Sequence, residues 1–446
     1  MFAKILSFVV RSGSLRLIDG AGRTHAIGDG SPPRATVRLR SRRLDITLAL
    51  NPSLSIGEAY MNGTLVIEQG TLYDFLEVLG WNAGRIRLHP WLGLLARLGA
   101  HIEQRNPIGR ARRNVAHHYD LSDELYDIFL DRDRQYSCAY FTSQTDSLET
   151  AQQNKKRHIA AKLLLDRPGL RILDIGSGWG GLSLYLAQAA EADVTGVTLS
   201  TEQHKVSTAR ADEAGLAGQV RFALRDYREQ RGQFDRIVSV GMFEHVGKKN
   251  YPEFFARLRD LLTDDGVALL HAIGDSGVPG PINPFIRRYI FPGADTPSLS
   301  EVFAVVERSG LIVTDLEILR LHYARTLRLW RERFMARYAE VGVLYDQRFC
   351  RMWEFYLALC EVGFRHSSNI VFQMQLAKRI DTVPITRDTM RNWEMERCEH
   401  GRHRPDQSSL QSIILGHERR VALSRCQILA PGDQPAAAGR ADAGRA

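Results

Sequence analysis

A short apolar stretch that runs into a cluster of glycines constrains the fold of this chain most. Residues 171–175, Arg-Ile-Leu-Asp-Ile, have the composition of a buried strand, and residues 176–181, Gly-Ser-Gly-Trp-Gly-Gly, follow at once. The apolar residues of 182–188 then recur with helical spacing. A strand, a glycine turn and a helix in this order predict the first unit of a Rossmann-like α/β sheet, whose turn binds a nucleotide cofactor.

Two classes of nucleotide cofactor are compatible with this turn. Gly176, Gly178 and Gly181 satisfy the dinucleotide pattern G-x-G-x-x-G, which is weak evidence by itself. Dinucleotide enzymes place an acidic residue after the second strand to bind the ribose, but the second predicted strand, 193–197, is followed by Thr-Leu-Ser. Asp174, two residues before the first glycine, matches instead the Asp-x-Gly-x-Gly order of S-adenosylmethionine methyltransferases. The pattern therefore favours a methyltransferase over a dinucleotide enzyme.

Strands and helices continue to alternate after the glycine turn. The next strands are predicted at 220–224, 234–240 and 266–273. Ligands of open α/β sheets lie at the carboxyl ends of the strands, so that the side chains there are candidate cofactor contacts. Those that suit the adenine, ribose or methionine parts of the cofactor are Thr198, Gln203, Asp226 and Tyr227.

Two further strand ends carry a carboxylate and an imidazole. Glu244 follows the strand at 234–240, and His271 lies near the end of the strand at 266–273. Such a pair facing one cofactor could transfer protons at neutral pH. A buried structural pair with satisfied hydrogen bonds is the alternative.

The two ends of the chain lack the α/β pattern. Period-two alternation at 35–40 and 43–50, and a segment after a turn at 63–67, predict a small sheet, and 72–79 predicts an amphipathic helix. The residues after about 385 are polar and too poor in apolar side chains to build a core. We therefore expect three regions: an amino-terminal α+β domain over 1–105, a catalytic domain over 106–385, and a disordered extension over 386–446.

Some segments have both a structural and a functional interpretation. The apolar helix predicted at 91–98 and the arginine-rich stretch 105–113 are typical of a docking element and a solvated linker, with lipid contact as the minority interpretation. His117 and His118 are adjacent and are expected to be structural rather than metal ligands. The apolar, proline-rich segment 279–293 is predicted to be a lid over an apolar cavity.

The net charge of +8 among 446 residues indicates an anionic partner, either nucleic acid or an acidic membrane surface. The aromatic residues accompany apolar lid and helix patterns rather than a basic groove, which favours the membrane surface over nucleic acid. Five scattered cysteines with no C-x-x-C pair favour a reducing cytoplasm and no structural metal. The longest apolar runs are shorter than 18 residues, so no segment is expected to span a bilayer.

Several motifs in unbroken order resemble those of the cyclopropane-fatty-acyl-phospholipid synthases. The likeness covers about residues 114–380, and the amino-terminal region also resembles that of the bacterial members that act on phospholipid. The motifs are Tyr-Ser-Cys-Ala-Tyr-Phe at 136–141, Leu-Asp-Ile-Gly-Ser-Gly-Trp-Gly-Gly at 173–181, Gly-Val-Thr-Leu-Ser at 196–200, Phe-Glu-His-Val-Gly at 243–247 and Tyr-Ala-Arg-Thr-Leu at 323–327.

The resemblance implies a class I methyltransferase fold with helical lid insertions and a small amino-terminal α+β domain. It implies transfer of the methyl carbon of S-adenosylmethionine to a cis double bond of an acyl chain in membrane phospholipid, which closes a cyclopropane ring. A methyl-branched or hydroxylated chain is the alternative product. It also implies a cytoplasmic enzyme that associates peripherally with the inner face of the membrane, and a homodimer.

The resemblance further implies that a bound bicarbonate removes the proton from the carbocation that methyl transfer leaves. The positions that match its ligands are the backbone N–H groups of Cys138 and Ile273 and the side chains of Glu244, His271 and Tyr323. By its residue type alone, Cys138 is a buried small apolar residue rather than a nucleophile. The implied contacts to S-adenosylmethionine are Tyr136, Ser137, Asp174, Gly176, Gly178, Thr198, Gln203, Asp226 and Tyr227.

Overall fold

The computed structural model describes residues 1–88 and 121–403. The predictions for 91–98, 105–113, His117 and His118 lie outside these residues. Residues Met1–Met390 form one compact unit, and Arg391–Ala446 form a second. No described helix is long and apolar enough to cross a membrane.

The amino-terminal region is a small α+β structure. Four strands form a mixed sheet in the order β2-β1-β3-β4, in which β1 and β3 are parallel and the other pairs antiparallel. The elements are α1 (Phe2–Val9), β1 (Ser14–Ile18), β2 (Thr24–Gly28), β3 (Arg34–Leu39), α2 (Arg42–Leu50), α3 (Pro52–Met61), β4 (Leu65–Gln69), α4 (Leu72–Trp81) and α5 (Ala83–Leu88). The strands predicted at 35–40 and 63–67 and the helix predicted at 72–79 are present.

The strand predicted at 43–50 is wrong, because these residues form helix α2. Ser41 caps the helix by accepting a hydrogen bond from the Arg43 N–H. Leu48 and Ala49 are buried, whereas Ile46 and Leu50 are more than half exposed. The alternation in the sequence is real, but a local cap and contacts on one helical face decide the structure.

A seven-stranded sheet forms the centre of the rest of the first unit. Its order is β10-β11-β9-β8-β5-β6-β7, with β11 antiparallel to both neighbours and the strands from β9 to β7 parallel. The strands are β5 (Arg171–Ile175), β6 (Asp193–Thr198), β7 (Val220–Leu224), β8 (Phe234–Val240), β9 (Leu262–Asp275), β10 (Ile312–Ile318) and β11 (Asn369–Ala377). The predicted Rossmann-like α/β sheet is confirmed.

Helices cover the sheet and follow its strands. The glycine turn opens α8, whose cap residue Gly180 has φ of +84°, in the left-handed region that favours glycine. The helices of the first unit are α6 (Asp123–Phe129), α7 (Leu148–Lys162), α8 (Gly181–Ala190), α9 (Thr201–Glu213), α10 (Tyr251–Leu261), α11 (Leu299–Val306), α12 (His322–Ala336), α13 (Tyr338–Leu344) and α14 (Gln347–His366). A further helix, α15 (Asp388–His403), belongs mainly to the second unit. Disorder was expected from 386 onward, so the prediction is wrong for the residues of α15; residues 404–446 lie outside the described part.

The amino-terminal region packs directly on helix α14. Tyr60 donates a hydrogen bond of 2.7 Å from its hydroxyl to Glu354 Oε2. The Phe355 ring lies 6.2 Å from the Tyr60 ring and 4.8 Å from that of Phe285, measured between centroids. Gly57 faces these rings, and an added Cβ would stand 2.4 Å from Phe285 Cδ2. The domain boundary near 105 falls outside the described residues and stays a prediction.

We expect Phe355→Ala to lower the free energy of unfolding by about 3–5 kcal/mol, because it leaves a cavity between the two regions. Phe355 is 2 % exposed. Chemical denaturation followed by tryptophan fluorescence measures the change. Val343→Ala is the matched control, since Val343 is 88 % exposed and its loss removes no packing. An equal, small effect of both substitutions would contradict the packing described above.

Candidate active site

A single cavity at the carboxyl ends of the strands is lined by all nine predicted cofactor residues. They come from four places: the loop before α7, the glycine turn after β5, the end of β6 with the start of α9, and the end of β7. Open α/β sheets bind their ligands in this position. The structure therefore brings together residues that are up to about ninety positions apart in the sequence, Tyr136 and Tyr227 being the extremes.

The glycine turn forms the floor of this cavity. Gly176 has φ of +85°, and an added Cβ there would lie 2.9 Å from the Met242 Cβ. Asp174 is fully buried behind the turn, and its Oδ2 accepts a hydrogen bond of 2.7 Å from the Ser183 hydroxyl. Burial raises the pKa of the Asp174 carboxyl to about 6. The carboxylate is thus held in a fixed orientation by the first turn of α8.

The ends of β6 and β7 carry polar groups that are already oriented. Thr198 donates a hydrogen bond of 3.0 Å from its hydroxyl to Gln203 Oε1. Asp226 accepts two hydrogen bonds from the Arg228 guanidinium, at 2.9 and 2.8 Å. The Tyr227 ring is supported edge-on by Phe254 on α10, at 5.4 Å between centroids. The predicted adenine acceptor therefore has a fixed orientation before any ligand binds.

Helix α7 holds the loop that supplies Tyr136 and Ser137 to the cavity wall. Gln152 Nε2 donates hydrogen bonds to the carbonyl oxygens of Gln135 and Ser137, at 3.1 and 3.0 Å. Lys155 Nζ donates to the side chains of the same two residues. Sequence reasoning missed Gln152 and Lys155. The sequence carries no clear signal for them, because this helix is polar along most of its length and many of its polar side chains are buried.

None of the five residues implied as bicarbonate ligands lines this cavity. Cys138 follows Ser137, and Glu244 precedes His245, both of which line it. Cys138 and Tyr323 belong to one buried apolar cluster, against which Ile273 also packs.

Glu244 and Ile273 are in direct contact. The Ile273 N–H donates a hydrogen bond of 2.6 Å to Glu244 Oε1, while the buried Oε2 has no partner among the described residues. Burial raises the pKa of the Glu244 carboxyl to about 7. This carboxyl group therefore changes its protonation state near neutral pH, as a proton-transfer group must.

His271 lies two residues before Ile273 on β9 and is fully buried. The Gln373 amide on β11 donates a hydrogen bond of 3.1 Å to His271 Nδ1, which leaves the ring proton on Nε2. Burial lowers the pKa of the imidazole well below its usual value, so the ring is neutral. Gln373, which sequence reasoning also missed, selects this tautomer because β9 and β11 pair in the register His271 opposite Gln373.

Cys138 and Tyr323 complete the set. Burial raises the pKa of the Cys138 thiol well above its usual value, so the thiol stays protonated and cannot act as a nucleophile at neutral pH. The backbone N–H of Cys138 has no hydrogen-bond partner among the described residues. The Tyr323 ring packs edge-on against Trp330 and Phe364, at 5.9 and 4.8 Å between centroids.

Comparison with known proteins identifies the family. The family model described as mycolic acid cyclopropane synthetase matches residues 108–374. The chain belongs to this family. It is therefore an S-adenosylmethionine-dependent methyltransferase of the cyclopropane synthase type, and the matched range contains all fourteen candidate residues.

Individual relatives extend the match beyond the family's range. The chain is 37 % identical to the cyclopropane-fatty-acyl-phospholipid synthase of Escherichia coli K12 over 353 residues, 79 % of this chain and 90 % of that protein. It is 35 % identical to the tuberculostearic acid methyltransferase UfaA1 of Mycobacterium tuberculosis over 384 residues, 82 % and 88 % of the two chains. The solved structure of the mycolic acid cyclopropane synthase CmaA1 complexed with SAH and CTAB superposes with a TM-score of 0.57 at 32 % identity, over 61 % of this chain and 99 % of that one.

The raised pKa of Glu244 predicts a pH dependence of stability. The Glu244 carboxyl has a pKa of about 7 in the folded protein and about 4.5 in the unfolded chain, so the protonated carboxyl stabilises the fold. This contribution is complete below about pH 4.5 and is lost as the pH rises through about 7. Between about pH 5 and pH 8 we expect the free energy of unfolding of the wild type to fall by about 2 kcal/mol more than that of Glu244→Gln. Denaturant unfolding of both proteins at the two pH values measures this. Identical pH profiles would contradict a buried, titrating Glu244.

Proposed function

We propose that this protein transfers the methyl carbon of S-adenosylmethionine to a cis double bond of an acyl chain in membrane phospholipid and closes a cyclopropane ring. One observation carries the proposal: the buried Glu244 carboxyl, whose Oε2 has no partner among the described residues, adjoins His245 of the cofactor cavity and accepts a hydrogen bond from the N–H of Ile273, which packs against an apolar aromatic cluster. The Escherichia coli relative named for this reaction supports it over most of both chains.

The aromatic cluster suits a cationic intermediate. Attack of an alkene on the sulfonium methyl leaves a positive charge on the acyl chain, and ring faces stabilise such a charge. Tyr136 lines the cavity, and its ring lies 5.3 Å from that of Trp330, which in turn contacts Tyr323. Trp330 is fully buried, so this region excludes the water that would trap the cation as an alcohol.

The residues present fit a small oxyanion such as bicarbonate. Two buried polar groups that have no partner among the described residues, the Cys138 N–H and Glu244 Oε2, are the kind of groups that a ligand satisfies. The Nε2–H of His271 is a further donor. Bicarbonate, when bound, would supply a base for the methyl proton. Glu244, with its pKa of about 7, would then accept or return a proton, while Gln373 keeps the imidazole of His271 in its donating tautomer.

An open methyl branch in place of the ring is the alternative product. This chain is similar to a tuberculostearic acid methyltransferase over 82 % of its length, which supports the branched product as a second candidate. Both products arise from the same carbocation. Ring closure removes its charge in the first case, and a different reaction removes it in the second. The complete set of Cys138, Glu244, His271, Ile273 and Tyr323 supports the ring.

We expect Glu244→Gln to lower turnover by about a hundredfold or more, since it removes the titrating group and leaves the shape of the site. Binding of S-adenosylhomocysteine should stay near the wild-type value, because Glu244 does not line the cofactor cavity. Mass spectrometry of phospholipids from cells that produce each variant measures ring formation, seen as a gain of one CH2 without a methyl branch.

The control is Glu307→Gln, which changes an exposed carboxylate at the carboxyl end of α11. Wild-type levels of ring in Glu244→Gln cells would overturn the proton-transfer role, and a methyl branch in wild-type cells would establish the alternative product.

We further propose a cytoplasmic enzyme, with a homodimer as its assembly, that binds the inner face of the membrane peripherally. The exposed side of α2 combines two apolar residues, Ile46 and Leu50, with two arginines, Arg42 and Arg43. Apolar side chains that insert and cations that meet anionic headgroups are the two contributions to such binding. The amino-terminal region is thus proposed to recruit lipid.

We expect the protein to co-sediment with vesicles that contain phosphatidylglycerol, and the binding to weaken with salt. The double substitution Arg42→Glu and Arg43→Glu should weaken it by roughly tenfold or more, at about 1 kcal/mol per cation. Arg221→Glu with Arg308→Glu is the matched control on other exposed surfaces. Binding to oligonucleotides in a gel shift, with no binding to vesicles, would overturn the membrane proposal and favour nucleic acid.

A further inference from the structure

Helix α12 holds the backbone of the loop that contains Cys138. Thr326 on this helix is 0 % exposed, and its Oγ1 accepts a hydrogen bond of 3.1 Å from the Ala139 N–H. The same hydroxyl donates a hydrogen bond of 2.8 Å to the His322 carbonyl oxygen, which leaves its oxygen as the acceptor for Ala139. His322 Nδ1 accepts a further hydrogen bond of 3.0 Å from the Phe141 N–H. Two residues one turn apart on α12 therefore fix the loop immediately after Cys138.

The peptide group before Cys138 is held by a different helix. Gln152 Nε2, on α7, donates a hydrogen bond of 3.0 Å to the Ser137 carbonyl oxygen. This oxygen and the Cys138 N–H belong to one planar trans peptide group, in which they point in opposite directions. The direction of the Cys138 N–H is therefore set by Gln152, although the N–H itself has no partner in the described part of the chain.

Thr326 also connects this loop to a second residue implied as an anion ligand. Tyr323 lies three positions before Thr326 on α12, so that the two buried side chains share one face of the helix. A shift of the loop relative to α12 would change the distance between the Cys138 N–H and the Tyr323 side chain. The hydrogen bond between Ala139 and Thr326 thus fixes two of the five implied ligand positions relative to each other.

The Thr326 hydroxyl has a structural effect as well, because Ala139 is fully buried and its N–H needs an acceptor. A structural effect alone would alter thermal unfolding and would disturb the cofactor and the anion alike. Thr326 does not line the cofactor cavity, and α7 holds the loop residues that do, Tyr136 and Ser137. A role in positioning is therefore distinguishable, since it affects the anion and spares the cofactor.

We propose that Thr326 is a positioning residue that keeps the Cys138 N–H directed at a bound anion, while Gln152 fixes the peptide group before it. The inference rests on the proposed function, in which that anion is bicarbonate. Without the hydroxyl of Thr326 the peptide group after Cys138 can turn, and the anion is held less firmly. Thr326 acts through the backbone of the loop, by a contact to Ala139.

The test measures how the rate of methyl transfer depends on bicarbonate. The full-length protein acts on vesicles of unsaturated phosphatidylglycerol in buffer freed of CO2, and release of S-adenosylhomocysteine is followed as bicarbonate is added. Thr326→Val keeps the shape of the side chain and removes the hydroxyl. We expect it to raise the bicarbonate concentration for half-maximal rate roughly tenfold, the effect of one lost hydrogen bond. The KM for S-adenosylmethionine should change by less than about threefold, because α7 still holds Tyr136 and Ser137.

Two further variants complete the comparison. Thr326→Ser keeps the hydroxyl, so its bicarbonate dependence should stay within about threefold of the wild type. Ser309→Ala is the matched control, since Ser309 Oγ likewise donates to a helix carbonyl, that of Val306, and accepts from a backbone N–H, that of Leu311. It should keep the bicarbonate dependence of the wild type, because Ser309 contacts neither the loop nor the cofactor cavity. Thr326→Ala replaces Thr326→Val if thermal unfolding shows that the latter does not fold.

An unchanged bicarbonate dependence in Thr326→Val, or an equal defect in Thr326→Ser, would overturn the role of Thr326. Equal rises in the bicarbonate requirement and in the KM for S-adenosylmethionine would overturn it too, because they indicate a general loss of structure. A wild-type protein whose rate does not depend on bicarbonate, or that transfers no methyl group to these vesicles, would contradict the proposed function instead, and this inference with it.

Discussion

The hydrogen bond from the Ile273 N–H to Glu244 Oε1 connects the ends of β8 and β9 and sets the chemistry of the site. It places the carboxyl of Glu244 in a buried position where one oxygen is hydrogen-bonded and the other has no partner in the described part of the chain. The carboxyl therefore has a pKa near 7 instead of its ordinary value. His271 lies two residues before Ile273 on β9, and its imidazole is a neutral donor because Gln373 on β11 fixes its tautomer.

Desolvation is the common physical cause across the site. It raises the pKa values of Asp174 and Glu244 and lowers those of His271 and Lys155. A dry interior also suits a cationic intermediate, because it keeps out water and other nucleophiles that would react with the cation. The same burial that makes these polar groups costly to the fold is what the proposed methyl transfer onto an alkene requires of them.

The comparison of pattern and structure shows where local signals suffice. The strands from β5 to β9 were predictable because each is a short segment rich in apolar residues that alternates with a helical pattern along the chain. Helix α2 was predicted wrongly, since four alternating apolar residues suit a strand as well as a helix, and only the Ser41 cap and burial against neighbours decide. In the same way the polarity of 388–403 does not preclude helix α15.

By itself the sequence determined the class of sheet, the cofactor turn and seven of the residues that line the cavity, because these lie at the strand ends in chain order. Tyr136 and Ser137 came from the resemblance to the family. Only the tertiary structure decided that Lys155 and Gln152 hold the cofactor loop and that Gln373 orients His271. The reason is physical: whether a lysine or glutamine on an amphipathic helix or strand is solvated or buried depends on what packs over it. That packing comes from segments far away in the chain, which no local pattern records.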